Sequence, residues 1–195
     1  MAWSMKEIFA IVAVTLGATL LNVYSDIWQR TPAPRLVGGI LHDLEKVRED
    51  ATASASLLAA APAASIAVPV IGVPTEAVAD TFGAPRGTDR RHEGVDIFAP
   101  RGTYVTSATE GIVVRIGTNQ LGGNIVFVLG PGGERYYYAH LDEIDPLLAV
   151  GQRVGTTTVL GRVGTTGNAI GTPPHLHFGI YGQGGAKDPY ERLTD

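Results

Sequence analysis

The feature that most constrains the fold is a pair of histidines two residues apart in the run Pro173–Ile180, PPHLHFGI. Side chains at positions i and i+2 of a β-strand point to the same face. We therefore expect His175 and His177 to project into one space, with Leu176 and Phe178 packing into a core behind them. Histidine is the commonest metal ligand, although two hydrogen-bonded structural histidines would give the same pattern.

Strand-like runs separated by turn signals fill the second half of the chain. Gly- and Asn-rich segments at 119–123, 131–133 and 164–171 mark turns between them. Short strands at this spacing, without a convincing helix, predict an antiparallel all-β sandwich or barrel. The predicted strands are Tyr104–Ala108, Gly111–Ile116, Ile125–Leu129, Arg135–His140, Arg153–Val154, Val159–Val163 and His175–Tyr181.

Composition narrows the classes of function. A chain of 195 residues fits one compact core plus appendages. The net charge of −4 argues against nucleic acid as a partner, since nucleic-acid binders present a basic face. The chain has no cysteine, which excludes disulfides, thiolate zinc sites and a cysteine nucleophile.

Residues 1–28 are predicted to be a membrane anchor or a signal segment. Their apolar run, Ile8–Leu21, has the length of a signal-peptide core, whereas a comfortable membrane span takes about 17–25 residues. Trp3, Tyr24 and Trp28 stand where aromatic belts occur at membrane interfaces, which favours an uncleaved anchor. Either interpretation places the rest of the chain outside the cytoplasmic membrane.

Residues 29–73 are predicted to connect this segment to the domain. Leu36–Asp50 has apolar residues at helical spacing and predicts a short amphipathic helix. Residues 51–67 are rich in Ala and Ser, which indicates a flexible or partly helical tether. The folded domain is expected to span residues 74–195.

A second candidate for metal binding is His92-Glu-Gly-Val-Asp96. His92 and Asp96 can face the same way from a strand or an extended loop. Zinc proteases with a His-Glu-x-x-His motif need a helix, which the neighbouring Gly94 and Pro100 disfavour, and position 96 is not histidine. Two imidazoles and one carboxylate would leave zinc an open coordination position, as in catalytic zinc sites.

His140 ends the strand-like run Arg135–His140, in which alternation would bury one set of tyrosines and expose the other. A single histidine at a strand end is unremarkable by itself. Because it accompanies the other candidate groups, His140 is a candidate general acid or base.

Taken in their order along the chain, these motifs resemble those of the lysostaphin-like zinc endopeptidases, or LytM-domain peptidases. The resemblance covers roughly residues 75–193 and implies a small antiparallel β-sandwich with an open groove. It is carried by Phe82-Gly-x-x-Arg86, HEGVD (92–96), YAHL (138–141) and HLHF (175–178), and by connecting motifs such as Gly122-Gly-Asn124 and Gly164-x-Thr-Gly-Asn168.

The resemblance implies one zinc ion per domain, held by His92, Asp96 and His177, and catalytic roles for the non-ligand residues His140 and His175. The implied activity is hydrolysis of the stem or bridge peptides of peptidoglycan. The expected anchor and long tether favour an enzyme of a two-membrane envelope, and therefore a D,D-endopeptidase that hydrolyses peptide cross-links. Relatives that only activate other cell-wall hydrolases lack ligands, whereas all five positions are filled here. The alternative is a membrane-anchored, non-catalytic module that recruits or activates another hydrolase.

Arg86 and Asn168 are weaker candidates, for substrate binding. A guanidinium suits the free carboxylates of muropeptides, and Arg90 and Arg91 follow Arg86 closely. These arginines are equally compatible with a solvated loop, and Asn168 with turn formation. The expected partners are peptidoglycan peptides and the cytoplasmic membrane. The expected location is the cell envelope, facing the periplasm if anchored, or outside the cell if the N-terminal segment is cleaved.

Overall fold

The computed structural model describes residues 33–87 and 89–194, with side chains from residue 42 onward. The chain divides into two compact units with a boundary between Leu58 and Ala59. The predicted membrane segment within residues 1–28 lies outside the described residues. In the part of the chain that the structure describes, no helix combines the length and the apolar character needed to cross a membrane.

The first unit, as far as it is described, is the helix α1 (Ala33–Ala59). It contains the predicted amphipathic segment Leu36–Asp50 and continues through the Ala- and Ser-rich stretch that follows. Alanine has the highest helix propensity of all residues, which accounts for the extension. The first part of the predicted tether is therefore helical, and residues 60–65 are irregular.

The second unit is mostly β, as predicted. Within the described residues it contains thirteen short strands, of which nine form one antiparallel sheet. The strands are β1 (Ile66–Ala67), β2 (Pro85–Arg86), β3 (Arg90–Arg91), β4 (Val95–Phe98), β5 (Tyr104–Thr106), β6 (Gly111–Asn119), β7 (Gly123–Leu129), β8 (Arg135–Ile144), β9 (Arg153–Val154), β10 (Val159–Val163), β11 (His175–Gly182), β12 (Gly185–Lys187) and β13 (Leu193–Thr194).

The main sheet has the order β12-β11-β8-β7-β6-β9 and branches at its centre. The first part of β8 lies between β7 and β11, whereas Leu141 and Ile144 pair with β10, which in turn pairs with β5. On the side of β11 away from β8, residues 175–178 pair with β4 and residues 180–182 pair with β12. The prediction of an antiparallel β domain is confirmed, and the domain takes the form of one curled, branched sheet.

The predicted strands are present with small differences in length. β9 and β10 have the predicted bounds, and β5 ends at Thr106 instead of Ala108. β6, β7, β8 and β11 are longer than predicted, because pairing with neighbouring strands continues into residues whose local sequence reads as turn.

Strand alternation places the core on one face of the sheet. Leu176 and Phe178 of β11 and Tyr136 and Tyr138 of β8 are fully buried there. The same cluster contains residues from the stretch assigned to the tether, since β1 pairs in parallel with β13 and brings Ile66 into the core. His175 and His177 of β11 and Tyr137 of β8 occupy the opposite face, where the candidate site lies.

Candidate metal and catalytic site

His92 and Asp96 lie at the start of β4, in extended backbone as the sequence interpretation requires. His92 precedes the strand, and Asp96 is its second residue; both are buried. Gly94 between them allows the close approach of β4 to β11, because a Cβ there would collide with the Phe178 carbonyl. The neighbouring Glu93 side chain is exposed and accepts a hydrogen bond from the Tyr181 hydroxyl, so it does not take the position of a base.

His177 faces Asp96 directly across the β4–β11 pair. His92 Nε2 lies 2.9 Å from His177 Nδ1 and 3.1 Å from Asp96 Oδ1, and the latter two atoms are 3.2 Å apart. Tetrahedral zinc with bonds of ~2.0–2.1 Å separates its ligand atoms by ~3.3 Å. The three atoms therefore fit a single small metal ion, and they form the metal-ligand group found among the described residues.

The hydrogen-bond partners of the ring nitrogens support the same conclusion. His92 Nδ1 donates to the Thr81 carbonyl (2.9 Å), so its Nε2 carries a lone pair. Asp96 Oδ1 only accepts, and His177 Nδ1 has at most one hydrogen for these two acceptors. Burial lowers the pKa of His177, which favours the neutral imidazole that metals bind. Two imidazole nitrogens and one carboxylate oxygen that lie this close together match the ligand set of a catalytic zinc site.

Arg86 contacts the carboxylate of this group. Its guanidinium forms an ion pair with Asp96 Oδ2, which leaves Oδ1 facing the two histidines. Burial opposes ionisation of Asp96, but contacts with His177, His92 and Arg86 outweigh it and hold the pKa far below its usual value. The Arg86 side chain is 43% exposed, so contact with a substrate stays a prediction for this residue.

His140 has an unusual backbone. Its φ of 63° is the one positive value among the non-glycine residues that the structure describes. The His140 N–H donates to the Gly122 carbonyl (2.7 Å), and both Asn124 Nδ2 (3.0 Å) and Thr166 Oγ1 (2.9 Å) donate to the carbonyl of the next residue, Leu141. Residues from two glycine-rich motifs thereby fix the left-handed turn that aims the His140 ring.

The rings of His140 and His175 are close, with centroids 5.0 Å apart. Each ring donates from Nδ1 to a backbone carbonyl 2.8 Å away, that of Thr166 or that of Pro173. Both therefore keep Nε2 as the atom with a lone pair. His175 Nε2 lies 3.9 Å from Asp96 Oδ1, which directs it to the candidate metal position.

Burial lowers the pKa of His140 to about 4, although its hydrogen bond with the Thr166 carbonyl opposes the shift. The imidazole is consequently neutral near pH 7 and able to accept a proton. The structure thus brings together His92, Asp96, His140, His175 and His177, the five residues that the resemblance implied.

Asn168 lies nearby but in a different setting. It is exposed within the short 3-10 turn Gly167–Ala169, and its backbone N–H donates to the Leu121 carbonyl (2.9 Å). This turn packs closely on the segment 122–124, since a Cβ at Gly123 would collide with the Gly167 nitrogen. Its side chain as a substrate contact stays a prediction.

Sequence reasoning did not select Tyr137, Thr81 or Thr166 for the site. The Tyr137 ring meets that of His177 edge-on at 5.8 Å, and the alternation along β8 was a signal for its exposed face. Thr81 and Thr166 act through carbonyls that are 11 and 26 residues from the histidines they hold. No local pattern identifies such contacts.

Comparison with known proteins gives a consistent result. The family model Peptidase family M23 matches residues 90–189, just over half of the chain. The L-Ala–D-Glu endopeptidase of Bacillus subtilis is 38% identical over 124 residues, which cover 58% of this chain and 38% of that protein. Peptidoglycan DD-endopeptidase ShyC of Vibrio cholerae is 34% identical over 103 residues, or 53% of this chain and 23% of that protein. The chain thus spans less than half the length of these curated relatives.

A solved structure agrees with these matches. The catalytic domain of the antimicrobial peptidase lysostaphin from Staphylococcus simulans has 32% sequence identity and a TM-score of 0.51, covering 57% of this chain and 87% of that domain. The segment matched by the family model contains both histidine motifs of the metal group and His140. The chain therefore belongs to peptidase family M23, the family of lysostaphin-like and LytM-like endopeptidases.

Proposed function

We propose that the domain is a zinc-dependent endopeptidase that hydrolyses peptide cross-links of peptidoglycan. The observation that carries the proposal is the convergence of His92 Nε2, Asp96 Oδ1 and His177 Nδ1 beside two further histidines. The similarity to proteins named as an L-Ala–D-Glu endopeptidase and a peptidoglycan DD-endopeptidase supports this class of substrate.

His92, Asp96 and His177 hold the metal in this proposal. Zinc supplies Lewis-acid chemistry at such a site, because it polarises a carbonyl oxygen and lowers the pKa of a water molecule to about 7. Arg86 holds Asp96 Oδ2, which leaves Oδ1 beside the two histidine nitrogens as the atom that would bind the metal. Thr81 fixes the ring of His92 through its carbonyl and the backbone N–H of Asp96 through its hydroxyl.

In this proposal, His140 and His175 act as the general base and general acid of the reaction. Because both rings present Nε2, the pair can take a proton from the attacking water, hydrogen-bond to the developing oxyanion and return a proton to the leaving amine. Acid–base assistance of this kind contributes typically ~10²–10⁴-fold to the rate. The contacts with the Thr166 and Pro173 carbonyls fix the tautomers of the two rings.

The bond that we propose is the D-alanyl–diaminopimelate cross-link, as in a D,D-endopeptidase. The similarity to a protein named as a peptidoglycan DD-endopeptidase supports this choice, and the similarity to an L-Ala–D-Glu endopeptidase makes that bond the alternative. The apolar run Ile8–Leu21 supports a position in the cell envelope, with the domain held near the cytoplasmic membrane and facing the periplasm.

Digestion of purified sacculi tests the proposal. We expect the full chain to convert cross-linked muropeptide dimers to monomers, with glycan strands and sugar–peptide bonds intact, and His177→Ala to release nothing. Persistence of dimers while stem peptides are stripped from the sugar would identify an amidase. Retention of one zinc without any hydrolysis, together with stimulation of a separate hydrolase, would support the recruiting module instead.

A further inference from the structure

Tyr137 is a residue of the site that the proposed mechanism does not use. It lies on β8 between Tyr136 and Tyr138, which are both fully buried, so strand alternation turns its side chain to the face that carries the histidines. Its ring meets that of His177 edge-on, at 5.8 Å between centroids, and stacks on that of Phe127 at 4.5 Å. These ring contacts fix the direction in which the Tyr137 hydroxyl points.

The Tyr137 hydroxyl lies against the backbone of Gly122, in the turn between β6 and β7. A Cβ on Gly122 would come within 2.0 Å of the hydroxyl oxygen and 2.7 Å of Ile125 Cγ2, so the turn has no room for a side chain at this position. Asn119 connects the same two groups. Its Oδ1 accepts a hydrogen bond from the Gly122 N–H (2.6 Å), and its Nδ2 donates to the Tyr137 hydroxyl (3.4 Å). The Gly122 peptide is therefore held from two sides.

The position of Gly122 bears directly on His140. The His140 N–H donates to the Gly122 carbonyl at 2.7 Å, and this hydrogen bond helps to keep His140 at its positive φ of 63°. Left-handed backbone is costly for a residue with a Cβ, so it persists only where its surroundings enforce it. A shift of Gly122 is therefore passed to the His140 backbone, and it turns the imidazole away from the ring of His175, whose centroid lies 5.0 Å away.

We propose that Tyr137 is a positioning residue for His140. Its hydroxyl keeps the Gly122 carbonyl where the His140 N–H meets it, and the imidazole of His140 is thereby held beside His175 for proton transfer. This inference rests on the proposed function and adds to it a residue whose hydroxyl acts on turnover through the backbone of another residue.

The same geometry allows two competing roles for Tyr137. Direct contact of its hydroxyl with the substrate is one, because Tyr137 is half-buried on the face that carries the histidines. Orientation of the metal ligand His177 by the Tyr137 ring is the other. Tyr137→Phe separates the hydroxyl from the ring, since it removes the oxygen and keeps both ring contacts.

Amide hydrogen exchange in the full chain tests the backbone step independently of activity, because it reports local opening. Tyr137→Phe should raise the exchange rate of the His140 amide about fivefold, the factor that corresponds to one neutral hydrogen-bonding group. The Val113 amide, which donates to the Gln152 carbonyl (2.9 Å) in another part of the sheet, should keep its rate. Tyr190→Phe, the same change at an exposed tyrosine, should alter neither amide.

Steady-state kinetics on cross-linked muropeptide dimers test the catalytic step. Tyr137→Phe should lower kcat about fivefold, with KM unchanged and one zinc retained per chain. In a chain that already carries His140→Ala, the same replacement should change the remaining kcat by less than about twofold, because the hydroxyl acts through the His140 side chain and the two effects are not additive. Tyr190→Phe should leave kcat and KM unchanged.

Several results would overturn the inference. Unchanged exchange of the His140 amide in Tyr137→Phe, or faster exchange with unchanged kcat, would show that the hydroxyl does not position His140 for turnover. A raised KM, or a full fivefold loss of kcat in the His140→Ala chain, would make Tyr137 a substrate contact. Loss of zinc from Tyr137→Phe would assign the residue to the metal ligand.

Equal rises in exchange at the His140 and Val113 amides, with a lower melting temperature, would give Tyr137 a purely structural role. If the unaltered chain cleaves no dimers, the proposed function fails, and exchange of the His140 amide decides the inference by itself. A faster rate in Tyr137→Phe, with the Val113 amide unchanged, would then support it, and an unchanged rate would overturn it.

Discussion

The histidines of the site form two regions that are built in different ways. In the metal region, His92, Asp96 and His177 converge, with ligand atoms 2.9–3.2 Å apart. In the proton region, the rings of His140 and His175 lie 5.0 Å apart, and each is held by its own backbone carbonyl. One region is defined by side chains meeting one another and the other by side chains meeting the main chain.

The difference follows from the elements involved. The metal region depends on two paired strands, β4 and β11, and on the register between them. The proton region depends on the loop segments 122–124 and 164–174, which supply the contacts of His140 and His175. We therefore expect metal binding and turnover to be separable by substitution, which the following four experiments examine.

The largest effect is expected in the metal region. His177→Ala or Asp96→Ala should abolish both zinc retention and hydrolysis, because two ligands cannot hold the ion against dialysis. Zinc content per chain and sacculus digestion measure the two losses, with the exposed His42→Ala on α1 as control. The fold should survive, since the core face of β11 is unchanged. Full zinc occupancy in His177→Ala would refute the ligand assignment.

In the proton region, His140→Ala and His175→Ala should keep one zinc per chain and lower kcat by ~10²–10⁴-fold. Neither imidazole contributes a ligand atom to the converging group. The zinc content of the dialysed variants and kcat on muropeptide dimers are the measurements. Loss of metal from either variant would mean that a ligand has been mistaken for a base, and the two regions would not be separable.

Arg86 is a partly exposed residue that pairs with Asp96 in the metal region. Its replacement tests whether it supports metal binding or contacts substrate. Arg86→Gln should weaken zinc binding by about 10–100-fold, as removal of a residue that orients a ligand does. Competition with a chelator measures the affinity, with the exposed Arg90→Gln as control. A rise in KM at unchanged zinc affinity would instead support the prediction from sequence that Arg86 contacts substrate.

The smallest effect is expected at Thr166, in the loop that holds His140. Thr166→Val removes the donor to the Leu141 carbonyl and the acceptor for the Asn124 N–H. We expect a loss of about 1–3 kcal/mol in unfolding free energy and a severalfold lower kcat at full zinc content. Chemical denaturation and steady-state kinetics are compared with Thr165→Val in the same loop. A change in zinc affinity would contradict the division into two regions.

The sequence predicted much of the fold because strand alternation is a local property. It correctly placed Leu176 and Phe178 in the core and both histidines of β11 on the other face. It also required extended backbone around Asp96, which β4 provides. The choice of His177 over His175 as ligand came from the resemblance, since it depends on where individual ring nitrogens lie.

Other features depend on contacts between distant parts of the chain and left no local pattern. The ion pair of Arg86 with Asp96 requires the β2–β3 pairing to fold back over the site. The left-handed backbone of His140 depends on Gly122 and Thr166, which belong to different loops. The extension of α1 beyond Asp50 was readable only as partial helicity, because Ala-rich sequence suits both a helix and a tether.

The positive φ of His140 bears on how this protein could be engineered. A residue with a Cβ costs roughly 1–2 kcal/mol in left-handed backbone, whereas glycine adopts it freely. His140→Gly would therefore relieve strain at the moment it removes the imidazole. With the proposed role of His140, a library screened for thermal stability alone would enrich inactive chains at this position, so directed evolution of this scaffold would have to select for turnover and stability together.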